Sequence, residues 1–315
     1  MQSLNATSLF LQKRVLKLMG NRFEISVVTD DKNWAEERID EAVAEISRIE
    51  QVLTTFKESS QTNAINASAG VQPIAVDREV FDLIKRSLKI SALTRGAFDI
   101  SYGSIDKRFW NFDTSITALP DNELAKQSVQ LINYRNILLD EESCTVFLKR
   151  KGMRIGFGGI GKGYAADRAK QILQQKGVNS GVVNAAGDLI TWGTQPGGKS
   201  WTIGIADPNA KQHPFSSLSI SNTAVATSGN YEKYAIISGK KYSHTIDPKT
   251  GFPVSGIKSV TIICASAELA DAMTTPVMVM GVKAGLGMIN QMKEIACIII
   301  DDDNRIYISN NIKIT

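Results

Sequence analysis

The chain changes its hydrophobic period partway along, and that change limits the folds open to it. Between Trp34 and Phe56 the apolar residues Ile39, Val43, Ile46, Ile49, Leu53 and Phe56 recur at helical spacing. This predicts one long amphipathic helix with a single buried face. Asp31 or Asn33 is placed to cap its start. Residues 22–29 before it alternate as a strand does. Residues 78–94 repeat the helical pattern with Val80, Leu83, Ile84, Leu88 and Ile90 inward, and 59–66 read as a polar loop with a short helical turn. A short helix is expected over 122–132. Later, short apolar runs separated by Gly and Asp turns read as strands: 136–139, 145–148, 154–157, 181–184, 189–193, 201–206, 218–221 and 259–265. A helix leaves the glycines of 156–163 and runs to about Gln175, and two more cover 267–280 and 282–292. The chain closes on a hairpin, 296–300 with 305–309. Helices come early and strands cluster later, without a βα alternation, so the predicted class is α+β. Residues 96–110 look irregular.

Composition narrows the function classes. The net charge of +4 is scattered along 315 residues with no long Lys/Arg run, which gives nucleic-acid binding little support. Cys144, Cys264 and Cys297 form no CxxC pair and sit in strand-like apolar runs, so reduced core thiols are expected. Leu9-Phe10-Leu11 is cut off by Gln12-Lys13-Arg14, leaving no sustained apolar signal region. No run is read as long enough to span a bilayer. The expected location is cytoplasmic.

Several motifs carry chemistry. Gly156-Phe-Gly-Gly-Ile-Gly161-Lys162-Gly163 meets the P-loop spacing, but Gly163 stands where Ser or Thr would hold magnesium. The segment still reads as a glycine turn opening a helix, with bare backbone for an anion or a cation, or as a ligand-free tight turn. Asn184-Ala-Ala-Gly-Asp188 and Thr227-Ser-Gly-Asn-Tyr231 read as small polar turns, the second running into a strand that ends at His244. Asp99 lies in an apolar stretch, as a cap, a turn residue or a site acid. His244 precedes the turn Asp247-Pro-Lys-Thr-Gly251. Asp271 and Thr275 are four apart in a helical run and so share a face, offering two oxygens to one hard cation. A plain dipole interaction at the helix start is the alternative for Asp271. Pro276 is expected to distort the helix beside them.

In this order, the motifs resemble the FAD:protein FMN transferases of the ApbE family, over nearly the whole chain. The matching pieces are Met19-Gly20, the segment Thr54-Thr55-Phe56 with Ser60 and Asn66, Gly96–Ile100, Gly158–Asp167, Asn184–Asp188, Thr227–Tyr231, His244–Gly251 and Ala270–Thr275. The resemblance implies one transferase domain over 1–315. It also implies an ApbE-like fold of mixed and antiparallel sheets with packed helices, in two intimately associated lobes with the active site between them. It implies magnesium-dependent transfer of FMN from FAD to a Thr or Ser of an acceptor flavoprotein, releasing AMP. By resemblance the metal ligands are Asp271, Thr275 and the Gly161 carbonyl. The FAD contacts are Met19, Phe56, Asp99, Lys162, Asp167, Asp188, Ser228, Gly229 and His244, with His244 and Asp271 catalytic. FAD hydrolysis to FMN and AMP, and flavin binding without catalysis, are the competing readings. The chain departs from the family's frequent residues at Gly156, Ala185-Ala186, Asn230 and Pro276.

Overall fold

A computed structural model describes residues 8–106, 118–206, 214–229 and 234–312. Lys107–Trp110 of the expected irregular stretch, and Asn230 and Tyr231 of the expected polar turn, lie outside them. In chain order the elements are β1 (Phe10–Leu18), β2 (Asn21–Thr29), α1 (Lys32–Leu53), α2 (Gln61–Ala67), β3 (Ile74–Ala75), α3 (Arg78–Leu93), α4 (Asn122–Val129), β4 (Ile137–Asp140) and β5 (Thr145–Leu148). Then come α5 (Gly161–Gln175), β6 (Gly181–Ala185), β7 (Asp188–Trp192), β8 (Trp201–Ala206), β9 (Pro214–Ile220), β10 (Ala224–Gly229), β11 (Tyr234–Ile237) and β12 (Lys240–Ser243). Last are β13 (Ile257–Cys264), α6 (Ala267–Ile289), β14 (Ala296–Asp301) and β15 (Ile306–Ile308). The class is α+β, as expected. The chain divides into two compact units, each assembled from three stretches: 1–50, 162–226 and 263–270 in the first, and 51–161, 227–262 and 271–315 in the second.

In the first unit β1, β2, β6, β7 and the start of β10 are successive antiparallel neighbours. Met19 and Gly20 turn the β1–β2 hairpin, both with positive φ (50° and 72°), the geometry a two-residue hairpin needs. β1 was not expected from the sequence, because its outward residues include Leu11 and Val15 and blur the alternation. Phe23, Ile25 and Val27 of β2 are fully buried, as are Ile39, Ala42 and Ile46 of α1 and Ala165, Ala166 and Ala169 of α5. Arg168 of α5 reaches Glu45 of α1 at 2.9 Å. Asp31 caps α1 by accepting from the Trp34 N–H at 3.1 Å. The helix expected to reach Phe56 ends at Leu53, and Phe56 turns outward, 96% exposed. The helical spacing of apolar residues runs on three residues past Leu53, where the backbone leaves the helix.

In the second unit β3, β5 and β4 form one small sheet, β11 and β12 a hairpin, and β13, β14 and β15 successive neighbours. The single strand expected to end at His244 is therefore the β11–β12 hairpin, and Thr227–Gly229, read as a turn, belongs to β10. Residues 154–157, expected as a strand, pair with no strand. Their backbone is held instead by the Asn66 amide, which accepts from the Ile155 N–H at 2.7 Å and donates to the Ile155 carbonyl at 3.1 Å. The Gly156 N–H is taken by the Ile100 carbonyl at 2.9 Å.

α6 corrects one expectation. It runs 23 residues and is apolar enough to cross a membrane by length and composition, where the sequence reading found no such run. However, Gly281 (φ 81°, ψ 170°) breaks it into the two helices expected from the sequence, and Ala272, Met273 and Val277 are fully buried. Pro276 keeps helical dihedrals, and Gly281 is the one departure inside the element, since proline's fixed φ is compatible with a helix.

The cysteines are free. Burial pushes the Cys264 thiol up to about 11 and the Cys297 thiol up to about 12. Cys144 instead sits half-buried in the β4–β5 turn with φ 51°, not in a strand. Since thiolate is the reactive form, Cys144 is expected to label first with an aromatic disulfide reagent at pH 8. Equal labelling of all three in the native protein would contradict this packing.

Candidate active site

One cavity of about 290 Å³ in the second unit collects Asp99, His244, Thr275 and the glycine turn Gly156, Gly158 and Gly159. Four separate pieces of sequence line it, within 97–103, 156–159 and 244–248 and at Thr275. The turn after β12 brings His244 to the rim, where it is exposed. The Asp247 carboxylate fixes this turn by accepting from the Lys249 N–H at 2.9 Å and from the Thr250 hydroxyl at 3.1 Å. Thr275 comes from α6, and Asp271, one turn earlier on the same face, is 4% exposed in an otherwise apolar stretch. A Cβ added to Gly159 would sit 3.6 Å from Thr275 Oγ1 and 3.7 Å from the Phe98 ring. The bare glycine therefore keeps the hydroxyl approachable.

Asp99 is 8% exposed and serves first as a cap. Its Oδ1 accepts from the Ser101 N–H at 2.8 Å and the Ser101 hydroxyl at 2.6 Å, and its Oδ2 accepts from the Tyr134 N–H at 2.7 Å. Burial raises its carboxyl above the ordinary range, while these three donors, which favour the carboxylate, pull the other way. Tyr102 lines the same cavity, and burial pushes its phenol up to about 12 against a lowering hydrogen bond from the Ile246 backbone. Tyr102 and Ile246 were not singled out from the sequence. Nothing in their local pattern separates a cavity wall from core.

Ser228 donates to Thr274 Oγ1 at 2.8 Å, and Thr274 donates in turn to the Asp271 carbonyl at 2.8 Å. Ser228 thus stands beside the helix turn that carries Asp271 and Thr275, and Gly229 ends β10 next to it. Phe56 lines a second cavity of about 820 Å³ that shares Tyr102, Gly103 and Gly156 with the first. Gly161 opens α5, buried, two residues after Gly159.

The remaining sequence candidates lie in the first unit. Lys162 forms an ion pair with Asp188, which is 5% exposed at the start of β7. The Asp167 carboxylate caps α6, accepting from the Ser266 hydroxyl at 2.7 Å and from the Ala267 and Glu268 N–H groups at 3.0 Å each. Met19 donates its N–H to Glu50 at 2.9 Å. Asp167→Ala is expected to cost about 1–2 kcal/mol of stability, the usual loss for a helix cap, measured by urea unfolding. An unchanged unfolding midpoint would remove the capping role.

Among the described residues no group of three or more His, Cys, Asp or Glu is arranged to hold a metal. A set of one carboxylate, one hydroxyl and one carbonyl is of a different kind. It suits a hard cation that keeps part of its water shell, and the buried Asp271 beside an approachable Thr275 fits that description.

The ApbE family model matches residues 19–299. The FAD:protein FMN transferase of Klebsiella pneumoniae is 34% identical over 278 residues, 86% of each chain. That of Treponema pallidum is 30% identical over 289 residues, 87% of this chain and 80% of the relative. The crystal structure of the ApbE protein of Thermotoga maritima superposes with a TM-score of 0.85 at 30% identity, covering 95% of this chain and 97% of that one. The Pseudomonas stutzeri flavinyl transferase ApbE shares the fold with a TM-score of 0.85 at 24% identity, over 98% and 97% of the two chains. The chain belongs to the ApbE family, a family of enzymes.

Proposed function

We propose that this protein transfers the FMN half of FAD to a Thr or Ser hydroxyl of an acceptor protein and releases AMP, acting as one transferase domain. The observation that carries this reading is the single cavity joining His244, Thr275 and the bare glycine turn. The acceptor hydroxyl attacks the FMN-side phosphorus, the bond to AMP breaks, and the hydroxyl proton must leave. His244 stands at the cavity rim, where it can take that proton from an entering side chain. Asp271, Thr275 and the Gly161 carbonyl would hold magnesium, which when bound offsets charge on the phosphate oxygens. Asp99, spent on its cap donors, shapes the pocket wall. Lys162 holds the Asp188 carboxylate in place through their ion pair.

The test is incubation with FAD and magnesium, with and without an acceptor flavoprotein domain, following AMP and the acceptor's mass. A mass gain of one FMN with AMP release is expected. AMP and free FMN with an unmodified acceptor would make the protein an FAD pyrophosphatase. Bound FAD without AMP would reduce it to a flavin-binding protein. His244→Ala is expected to slow transfer by roughly 10²–10⁴-fold while FAD affinity changes far less. If affinity falls in step with rate, His244 is a binding contact only.

A further inference from the structure

Behind the wall formed by Asp99 and Pro248, the second unit carries another cavity of about 360 Å³. Four cations from four separate segments surround it: Arg95 after α3, Lys126 on α4, Arg135 before β4 and Lys249 in the turn after His244. Asp99 and Pro248 line both this bowl and the His244 cavity. All four cations are exposed. Lys126 has Glu123 at 3.6 Å, itself an exposed pair of little worth. Among the described residues Arg95, Arg135 and Lys249 make no ion pair, and Arg135 instead lies 4.9 Å over the Tyr134 ring. Among the described residues Asp99 is the one acid lining the bowl, and its oxygens are already engaged by Ser101 and Tyr134. A bowl this size is about as wide as the roughly 8 Å Debye length at physiological salt, so an anion inside it responds to all four charges.

We propose that this basic bowl docks an acidic segment of the acceptor protein and so delivers the neighbouring hydroxyl to the His244 cavity. The assignment rests on the transferase reading for the identity of the partner. Three features favour an acidic polypeptide. The bowl is far larger than a single phosphate needs, its cations stand on an open rim, and it adjoins the place where an acceptor side chain must enter. Opposite charge on a partner steers encounter and sets register more than it adds raw affinity.

The test uses a fluorescein-labelled oligoglutamate peptide as probe, with the all-glutamine peptide, inorganic phosphate and phosphatidylserine vesicles as the other arms. The variant is R95E/K126E/R135E, which leaves the His244 turn untouched. Wild-type protein is expected to bind oligoglutamate in a salt-sensitive way and the glutamine peptide not at all. The variant's Kd should rise roughly tenfold or more, a change of about 1.4 kcal/mol or more. Its KM for an acceptor domain should rise while AMP release from FAD in the absence of acceptor stays at the wild-type level. Equal peptide binding by wild type and variant would overturn the proposal. So would preferential capture by vesicles, or saturation by phosphate without peptide binding. Charge-dependent peptide binding with no FAD turnover in either protein would sink the transferase reading but keep the bowl as an acidic-protein surface.

Discussion

Asp271→Ala is expected to lower magnesium-dependent FAD turnover by roughly 10³-fold, equivalent to about 4 kcal/mol of transition-state stabilisation. Its fold should survive. The side chain lies within α6, 4% exposed, and alanine is the best helix former, so the backbone gains where the carboxylate is lost. A melting temperature close to the wild-type value alongside the rate loss would separate a site residue from a structural one. Thr275→Val should share the rate loss to a smaller degree, since it removes a neutral oxygen. Wild-type turnover in the Asp271 variant, across a magnesium titration, would end the metal assignment.

Gly251→Ala is expected to destabilise the protein by roughly 3–5 kcal/mol through strain and overpacking together. Gly251 has φ +76°, and a Cβ there would stand 1.9 Å from the Ala125 carbonyl oxygen and 2.5 Å from its carbon. Those are backbone atoms of α4, which has no flexible end to swing aside. Gly256→Ala is the control. Its φ is +92° with nothing within 4 Å of the added atom, so only the conformational cost of about 1–2 kcal/mol remains. Urea unfolding of both variants checks the difference. Similar losses in the two would mean that α4 yields. Because Gly251 ends the turn that positions His244, the unfolding loss should be accompanied by reduced FAD turnover.

Local pattern accounts for most of what was legible in the sequence. The α+β class, α3, α5, the β14–β15 hairpin and the division of α6 at Gly281 all follow from periodicity or from glycine placement. What was not legible depended on partners distant in sequence. Residues 154–157 look like a strand because their apolar pattern is right, but their backbone is held by the side chain of Asn66, 89 residues away. The overrun of α1 to Phe56 has the same origin, since spacing alone does not reveal where the chain turns out to solvent. In the candidate site, the sequence singled out Asp99, His244, Asp271 and Thr275 and offered a cap as one reading of Asp99, yet it did not show that Asp167 caps a helix 100 residues further on. Capping is a matter of which N–H groups surround a carboxylate, and no spacing rule encodes it.

The cap on α6 also bears on how the protein is made. Asp167 and the Ala267 N–H it accepts are 100 residues apart, and the stretch 263–270 is the last of three needed to complete the first unit. On a ribosome adding roughly 5–20 residues per second, strands β1 and β2 emerge early and wait for the rest of their unit. That unit cannot close until residue 270 of 315 has cleared the exit tunnel. During the wait the apolar face of β2 and the hydrophobic side of α1 lack their final cover. Nascent chains of this protein should therefore be strong clients of ribosome-associated chaperones, and moving the chain's start to Lys162 by circular permutation should shorten that dependence.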